Sequence, residues 1–156
     1  MALQVGIIGL PNSGKSTIFN ALTRAGAQVA GYPFSTVDPN YGMAPVPDDR
    51  LHKVATAAAC SRTVPADLRI VDIAGLVEGA HRGEGLGNQF LAHVREVDAL
   101  AHAVRCFSSP DVAHVRAEID PELDIAVVNT ELILADLAAV ERRKDRITKA
   151  AKTGDR

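Results

Sequence analysis

Hydrophobic positions along the chain form short continuous runs, separated by longer stretches in which they recur at helical spacing. The short runs predict buried strands at residues 2–8, 67–73 and 99–107, with a further short strand expected near 41–46. Helical spacing predicts helices over residues 15–24, 49–59, 88–97 and 121–152. Strands that alternate with helices in this way favour a three-layer α/β fold, in which a mostly parallel sheet lies between helices.

The last predicted helix, residues 121–152, is longer than an ordinary globular helix. It carries a seam at alternating steps of four and three residues, formed by Ile133, Leu137, Val140, Lys144 and Ile147. A seam without a partner elsewhere in the sequence suggests a truncated chain. We therefore expect a partial domain over residues 1–120 and the start of a helical coiled-coil arm over 121–156.

Composition narrows the class of protein. The 156 residues include 17 Lys and Arg against 19 Asp and Glu, a net charge of −2, and 47% of them are hydrophobic. This composition is typical of a globular protein with a core and excludes a wholly disordered or fibrous chain. The near-neutral charge, without a basic block, argues against direct binding of DNA by phosphate neutralisation.

Cysteine usage and the N-terminal sequence favour the cytoplasm. Two cysteines, Cys60 and Cys106, cannot form a disulfide framework, and free thiols are the common state in a reducing compartment. The first ten residues lack a basic leader and a cleavage site, and no run of 18 apolar residues follows. We expect a protein that is neither exported nor embedded in a membrane.

The strongest chemical signal is the stretch GLPNSGKST at residues 9–17, which fits the phosphate-loop pattern G-x-x-x-x-G-K-[ST]. It lies between a predicted strand and a predicted helix, where backbone N–H groups and the helix N-terminus can surround phosphate groups. The predicted nucleotide-binding residues are Asn12, Ser13, Gly14, Lys15, Ser16 and Thr17. Lys15 would reach the β and γ phosphates, so the motif predicts a nucleoside triphosphate.

A magnesium site is predicted beside this loop. Ser16 has the position of the motif's Mg²⁺ ligand, and Thr36 and Asp72 are candidates for a further oxygen ligand. Asp72 also begins the pattern D-x-x-G, in which the N–H group of Gly75 would meet the γ-phosphate. Alone, this pattern often marks only a turn at the end of a strand, but together with the phosphate loop it indicates a nucleotide-controlled switch.

Beyond these motifs, the chain resembles a known family. GLPNSGKST, YPFSTVDPN and DIAGLVEGAHRGEGLGNQFL are similar to the Obg-related branch of translation-factor-type P-loop NTPases, and most of all to the Obg-like ATPase (YchF) family. The likeness continues through HAVRCF, DVAHV and DIAVVNTELILADLAAVERR. It implies a G-domain interrupted by a coiled-coil arm, a C-terminal TGS domain, ATP hydrolysis and the ribosome as a partner. The second limb of the arm, the base-reading segment and the TGS domain are expected to be absent from this sequence.

The resemblance also gives roles to individual residues. Thr36 would cap Mg²⁺ and the γ-phosphate, and His114 matches a histidine thought to swing toward the γ-phosphate. Asn12 could bind a potassium ion, although its amide could equally only stabilise the loop, and a lone histidine such as His114 is more often a core or surface residue. Leu76 replaces the glutamine that orients water in many GTPases, so that mechanism is not open to this residue.

The identity of the base is left open by the residues themselves. Guanine-reading patterns N-K-x-D and T-K-x-D are not found in the sequence, and the near match at residues 148–151 lacks the carboxylate. Preference for ATP rests on the resemblance alone. The alternatives are a GTPase, or a nucleotide-gated ribosome-binding module with negligible intrinsic hydrolysis.

Overall fold

A computed structural model describes residues 3–23, 39–76, 86–116 and 118–153, with the backbone alone for 86–89. The described ranges contain the strands β1 (Gln4–Ile8), β2 (Asn40–Pro45), β3 (Asp67–Asp72) and β4 (Ala99–His102). They also contain the helices α1 (Lys15–Thr23), α2 (Asp49–Ala57), α3 (Leu86–Val94) and α4 (Pro121–Thr153). The sequence-based boundaries of β1, β2, β3, α1, α2 and α4 agree with these to within two residues.

The strands form one sheet in the order β2-β3-β1-β4. Strand β1 is central and runs parallel to β3 on one side and to β4 on the other, with Gly6 opposite Val71 and Leu100. Strand β2 lies at the edge and is antiparallel to β3, with Asn40 opposite Asp72. The predicted α/β fold with a mostly parallel sheet is therefore confirmed.

Adjacent strand residues point to opposite faces of this sheet and pack into two separate cores. The core that α1 covers contains Ile7, Phe19, Ala44, Ile70 and Ala103. The core that α3 and α4 cover contains Ile8, Leu10, Val71, Ile73, Leu76, Phe90, Leu91, Val128 and Ala135. Helices thus cover both faces, which gives the three layers expected from the sequence.

The predicted strand over residues 99–107 is wrong in length, because β4 ends at His102. The apolar run is interrupted by Arg105, whose side chain is only 2% exposed. Its guanidinium donates hydrogen bonds to the carbonyl oxygens of Phe107, Ser109 and Val112. The chain must bend around this cation to bring those carbonyls together, so it cannot continue as an extended strand.

Helix α4 begins after Asp120, which accepts a hydrogen bond from the N–H of Leu123 at 3.0 Å and so caps the helix. The first half of α4 turns four residues toward the domain, namely Asp124, Val128, Glu131 and Ala135. The predicted seam residues Ile133, Leu137, Val140 and Ile147 lie on the other side and are each more than half exposed. Among the described residues, no helix is long and apolar enough to cross a membrane.

Candidate functional site

The phosphate-loop motif forms the turn between β1 and α1. Gly9, Asn12 and Gly14 have positive φ angles of 150°, 61° and 95°. A side chain at Gly9 would collide with the carbonyl oxygen of Ala103, whereas one at Gly14 would meet no atom within 4 Å. Gly9 is therefore needed for close packing and Gly14 for its backbone conformation alone.

Lys15 lies at the first position of α1, and its side chain folds back over the loop. Its Nζ donates a hydrogen bond to the carbonyl oxygen of Leu10 at 2.9 Å, and the residue is 7% exposed. Burial lowers the pKa of Lys15 to about 8, and the negative charge of Asp72 opposes this shift. An ammonium group that has lost most of its water is well suited to an anionic ligand.

Ser16 and Asp72 meet at the end of β3. The hydroxyl of Ser16 donates a hydrogen bond of 2.6 Å to Oδ2 of Asp72, whose side chain is fully buried. Burial raises the pKa of Asp72, while the hydrogen bond from Ser16 and the charge of Lys15 lower it. Among the described residues, Oδ1 of Asp72 has no hydrogen-bond partner. Thr36, the third predicted metal ligand, lies outside the described residues.

The donor set at this point fits a hard cation. A hydroxyl oxygen and a buried carboxylate with one unsatisfied oxygen are ligands that Mg²⁺ prefers. The described ranges contain no group of three or more His, Cys, Asp and Glu residues that could hold a metal by themselves. A magnesium ion at Ser16 and Asp72 would need further oxygen ligands, such as phosphate groups, water or another hydroxyl.

Gly75 and Leu76 follow β3 and lie against the phosphate loop. A side chain at Gly75 would come within 3.0 Å of the Pro11 backbone, so the two segments touch closely. The N–H of Leu76 donates to the carbonyl oxygen of Gly9 at 3.1 Å. The Leu76 side chain is 1% exposed and packs in the core under α3 and α4.

Ser13 and Thr17 complete the predicted loop residues. Ser13 is 9% exposed, and its hydroxyl finds no hydrogen-bond partner in the part of the chain that the structure describes. Thr17 lies in the first turn of α1 and is exposed. Ser13 thus lies just before α1 and Thr17 in its first turn, where the unpaired N–H groups of a helix are found.

Asn12 connects the phosphate loop to the segment that follows β4. Its Nδ2 donates a hydrogen bond to the carbonyl oxygen of Ala113 at 2.9 Å. The left-handed backbone of Asn12 is a conformation that asparagine tolerates better than most residues. This contact gives the amide a structural task in joining two loops.

His114, the next residue after Ala113, is bound to α4. Its Nε2 lies 3.0 Å from Oδ2 of Asp124, and its Nδ1 accepts a hydrogen bond from the N–H of Arg116 at 3.1 Å. The side chains of His114 and Asp124 are 6% and 4% exposed. Both ring nitrogens therefore have protein partners, and neither partner is Lys15, Ser16 or Asp72.

Two residues that shape this region were missed in the sequence analysis. Arg105 holds the segment after β4 through its buried guanidinium, and Asp124 joins α4 to His114 and Arg116. A signal for Arg105 was present, since a lone arginine in an apolar run needs polar partners if it is buried. Asp124 gave no such signal, because acidic residues are common in the first turn of a helix.

Comparison with known proteins identifies the family. The family described as "50S ribosome-binding GTPase" matches residues 4–137. The "Ribosome-binding ATPase YchF" of Bacillus subtilis is 54% identical over 156 residues, which is all of this chain and 43% of that protein. The protein of the same name from Mycoplasma pneumoniae is 47% identical over 154 residues, 99% of this chain and 42% of the relative.

A solved structure agrees with these sequence matches. The Schizosaccharomyces pombe YchF GTPase superposes with a TM-score of 0.69 at 42% sequence identity, covering 94% of this chain and 39% of that one. The chain thus spans less than half the length of the relatives it matches. The resemblance found in the sequence is confirmed: the chain belongs to the family of 50S ribosome-binding GTPases and, within it, to the YchF branch.

Proposed function

We propose that this chain binds a Mg²⁺–nucleoside triphosphate in the phosphate loop and hydrolyses its β–γ phosphoanhydride bond. The observation that carries this proposal is the arrangement of Lys15, Ser16 and Asp72. A buried ammonium lies beside a hydroxyl–carboxylate pair at the N-terminus of α1, which is an environment for a metal-bound polyphosphate.

The loop residues bind and orient the phosphates. The N–H groups of residues 12–17 surround the β-phosphate, while Lys15 exchanges its contact with the Leu10 carbonyl for the β and γ phosphate oxygens. Ser16, Asp72 and Thr36 would hold Mg²⁺ through their side-chain oxygens. When bound, the metal neutralises the charge that develops on the phosphate oxygens.

Hydrolysis requires a water molecule in line with the bond to be broken. The water oxygen attacks the γ-phosphorus, the bond to the β–γ bridging oxygen breaks, and the nucleoside diphosphate leaves. Leu76 cannot orient this water, because its side chain is apolar and buried. We assign that role to His114, assisted by the Gly75 N–H at the γ-phosphate and by a potassium ion near Asn12.

ATP is the preferred nucleotide in this proposal, and GTP is the alternative. The bacterial relatives are named ATPases, whereas the fission-yeast structure is named a GTPase. The Asn129–Glu131 stretch that superficially resembles a base-reading pattern lies within α4 and not at the end of a strand. That stretch therefore carries no argument about the base.

We further propose that the nucleotide controls binding to the ribosome in the cytoplasm and that α4 is the first limb of a coiled-coil arm. The relatives carry ribosome binding in their names. The exposed apolar seam of α4 supports the arm, because four large hydrophobic residues on one outward face favour pairing with a second helix. A binding module with negligible intrinsic hydrolysis is the second candidate function.

Calorimetry with Mg·ATP and Mg·GTP, each in potassium and in sodium buffer, tests the binding part of this proposal. We expect micromolar or tighter binding of ATP and weaker binding of GTP. Absence of binding to both nucleotides would contradict the phosphate-loop assignment. Equal binding would contradict the ATP preference but leave the phosphate site intact.

Phosphate release with and without 50S subunits tests the catalytic part. We expect slow hydrolysis that potassium and ribosomal subunits each accelerate. Tight binding without release of phosphate under any of these conditions would favour the binding module over the enzyme. Equal rates in potassium and sodium would contradict the potassium site at Asn12 but no other part of the proposal.

A further inference from the structure

The first turn of α4 holds His114 in a buried cluster with two charged residues. One carboxylate oxygen of Asp124 lies 3.0 Å from Nε2 of His114, and the other accepts a hydrogen bond of 3.1 Å from Nη1 of Arg116. Asp124 belongs to α4, whereas His114 and Arg116 belong to the segment between β4 and α4. The carboxylate therefore ties that segment to the helix.

Both ring nitrogens of His114 lie within hydrogen-bond distance of protein atoms. Nδ1 lies 3.1 Å from the backbone nitrogen and 3.3 Å from the carbonyl oxygen of Arg116, and Nε2 faces Asp124. In the tautomer with the hydrogen on Nε2, the Arg116 N–H donates to Nδ1 and Nε2–H donates to Asp124. With both nitrogens used and the ring 94% buried, the imidazole has no free atom for water or phosphate. His114 can act on a ligand only after it leaves Asp124.

This cluster adjoins the phosphate loop, because Ala113, the residue before His114, contacts that loop. The carbonyl oxygen of Ala113 accepts hydrogen bonds from Asn12 at 2.9 Å and from Arg105 at 3.4 Å. The residue before His114 is thus fixed to the nucleotide site, while the side chain of His114 is fixed to α4. A short displacement of the His114 side chain would therefore break its contact with Asp124.

We propose that Asp124 is a positioning residue that holds His114 away from the nucleotide, so that the first turn of α4 sets the rate of hydrolysis. This inference rests on the role of His114 in the proposed function. The carboxylate lowers the population of the released imidazole, because a buried hydrogen bond to a charged acceptor must break first. A movement of α4 that withdraws Asp124 would free the histidine.

The kinetic test is Asp124→Asn, with Asp136→Asn as a matched control on the exposed side of the same helix. The neutral amide binds the imidazole more weakly, and we expect kcat to rise by about tenfold with KM unchanged. Asp136→Asn should leave both constants at the wild-type values. Asp124→Ser gives a second variant if the asparagine variant folds poorly, and nucleotide affinity by calorimetry reports on folding.

The same substitution in a His114→Ala background separates positioning from a structural effect. If Asp124 acts through His114, Asp124→Asn should have no effect on kcat once the imidazole is removed. An equal acceleration in both backgrounds would overturn the proposal. So would a fall in kcat in the single variant, because it would mean that Asp124 orients His114 for catalysis.

Nitrogen-15 spectra of the imidazole give a readout that does not depend on activity. In the nucleotide-free protein we expect His114 in the Nε2–H form, with a slowly exchanging proton that becomes fast in Asp124→Asn. Rapid averaging of the two tautomers in the wild type would overturn the contact itself. Wild-type protein that binds nucleotide but never hydrolyses it would contradict the proposed function, whereas normal wild-type hydrolysis that is unchanged in Asp124→Asn would contradict this inference alone.

Discussion

The phosphate loop and the segment between β4 and α4 touch through Asn12 and Ala113, but different interactions shape them. The loop is set by backbone conformation and by hydrogen bonds over a few residues, such as that from Ile18 N–H to the Gly14 carbonyl. The segment after β4 is held by the side chains of Arg105 and Asp124. A short motif can specify the first region, whereas the second depends on residues brought together by the fold.

The two regions also use buried charge differently. Among the described residues, Lys15 donates to the Leu10 carbonyl, and an ammonium has three donors, so further donors can serve a ligand. Arg105 donates to the carbonyls of Phe107, Ser109, Val112 and Ala113, and its guanidinium carbon lies over the Phe107 ring, 5.2 Å from the ring centroid. The lysine is arranged for binding and the arginine for holding the chain.

The largest effect is expected from Lys15→Ala. It removes the cation to which the proposed function gives the β and γ phosphates, and we expect nucleotide affinity to fall by about 100-fold or more. Calorimetry with Mg·ATP measures this loss, with the exposed Lys53→Ala as the control of equal charge change. If Lys15→Ala kept the wild-type affinity, Lys15 would not bind the nucleotide and would not differ from Arg105 in this respect.

Arg105→Met should destabilise the fold rather than the nucleotide site. The methionine fills part of the space but leaves several carbonyl oxygens without a donor, which costs about 2–4 kcal/mol of unfolding free energy. Urea unfolding measures this cost, and the exposed Arg50→Met should leave the midpoint unchanged. If Arg105→Met were as stable as the wild type, the segment after β4 would be held by backbone contacts, like the phosphate loop.

Leu76→Gln tests whether the site merely lacks the usual glutamine. Because Leu76 is buried in the core, the new amide would lose its hydrogen bonds to water, at a cost of about 1–3 kcal/mol. We expect a lower unfolding midpoint and no increase in the rate of phosphate release. A large increase in rate would show that the glutamine reaches the nucleotide and that His114 is not needed.

The smallest effect concerns proton uptake by Lys15. Its pKa of about 8 in the free protein should rise when phosphate charge lies beside it, so binding takes up protons above about pH 8 and few below about pH 7. Nucleotide affinity should therefore decrease as the pH rises above about 8. Calorimetry in buffers of different ionisation enthalpy measures the uptake at pH 7.0 and pH 8.5. Equal uptake at both values would show that Lys15 keeps its pKa on binding.

Local sequence patterns predicted most of the fold and the phosphate-loop residues. The alternation of strands and helices predicted the sheet and its layers, because the spacing of hydrophobic residues determines which face of each element is buried. The end of β4 was predicted wrongly, because the apolar run at residues 99–107 hid the effect of the buried Arg105. The contact of His114 with Asp124 could not be predicted, because the two residues are ten positions apart and their side chains meet only in the folded chain.

The length of α4 links movements at its far end to movements of its first turn. With 33 residues, the helix extends about 50 Å, and its buried positions end at Ala135, little more than four turns from the start. Beyond Ala135 none of the described residues of the helix is buried, so a tilting helix would pivot at that point. A rigid tilt of about 10° around Ala135 would move Thr153, about 27 Å away, by roughly 5 Å and Asp124, about 16 Å away, by roughly 3 Å. A push on the tip by a large partner would therefore reach His114 as a displacement large enough to break one hydrogen bond.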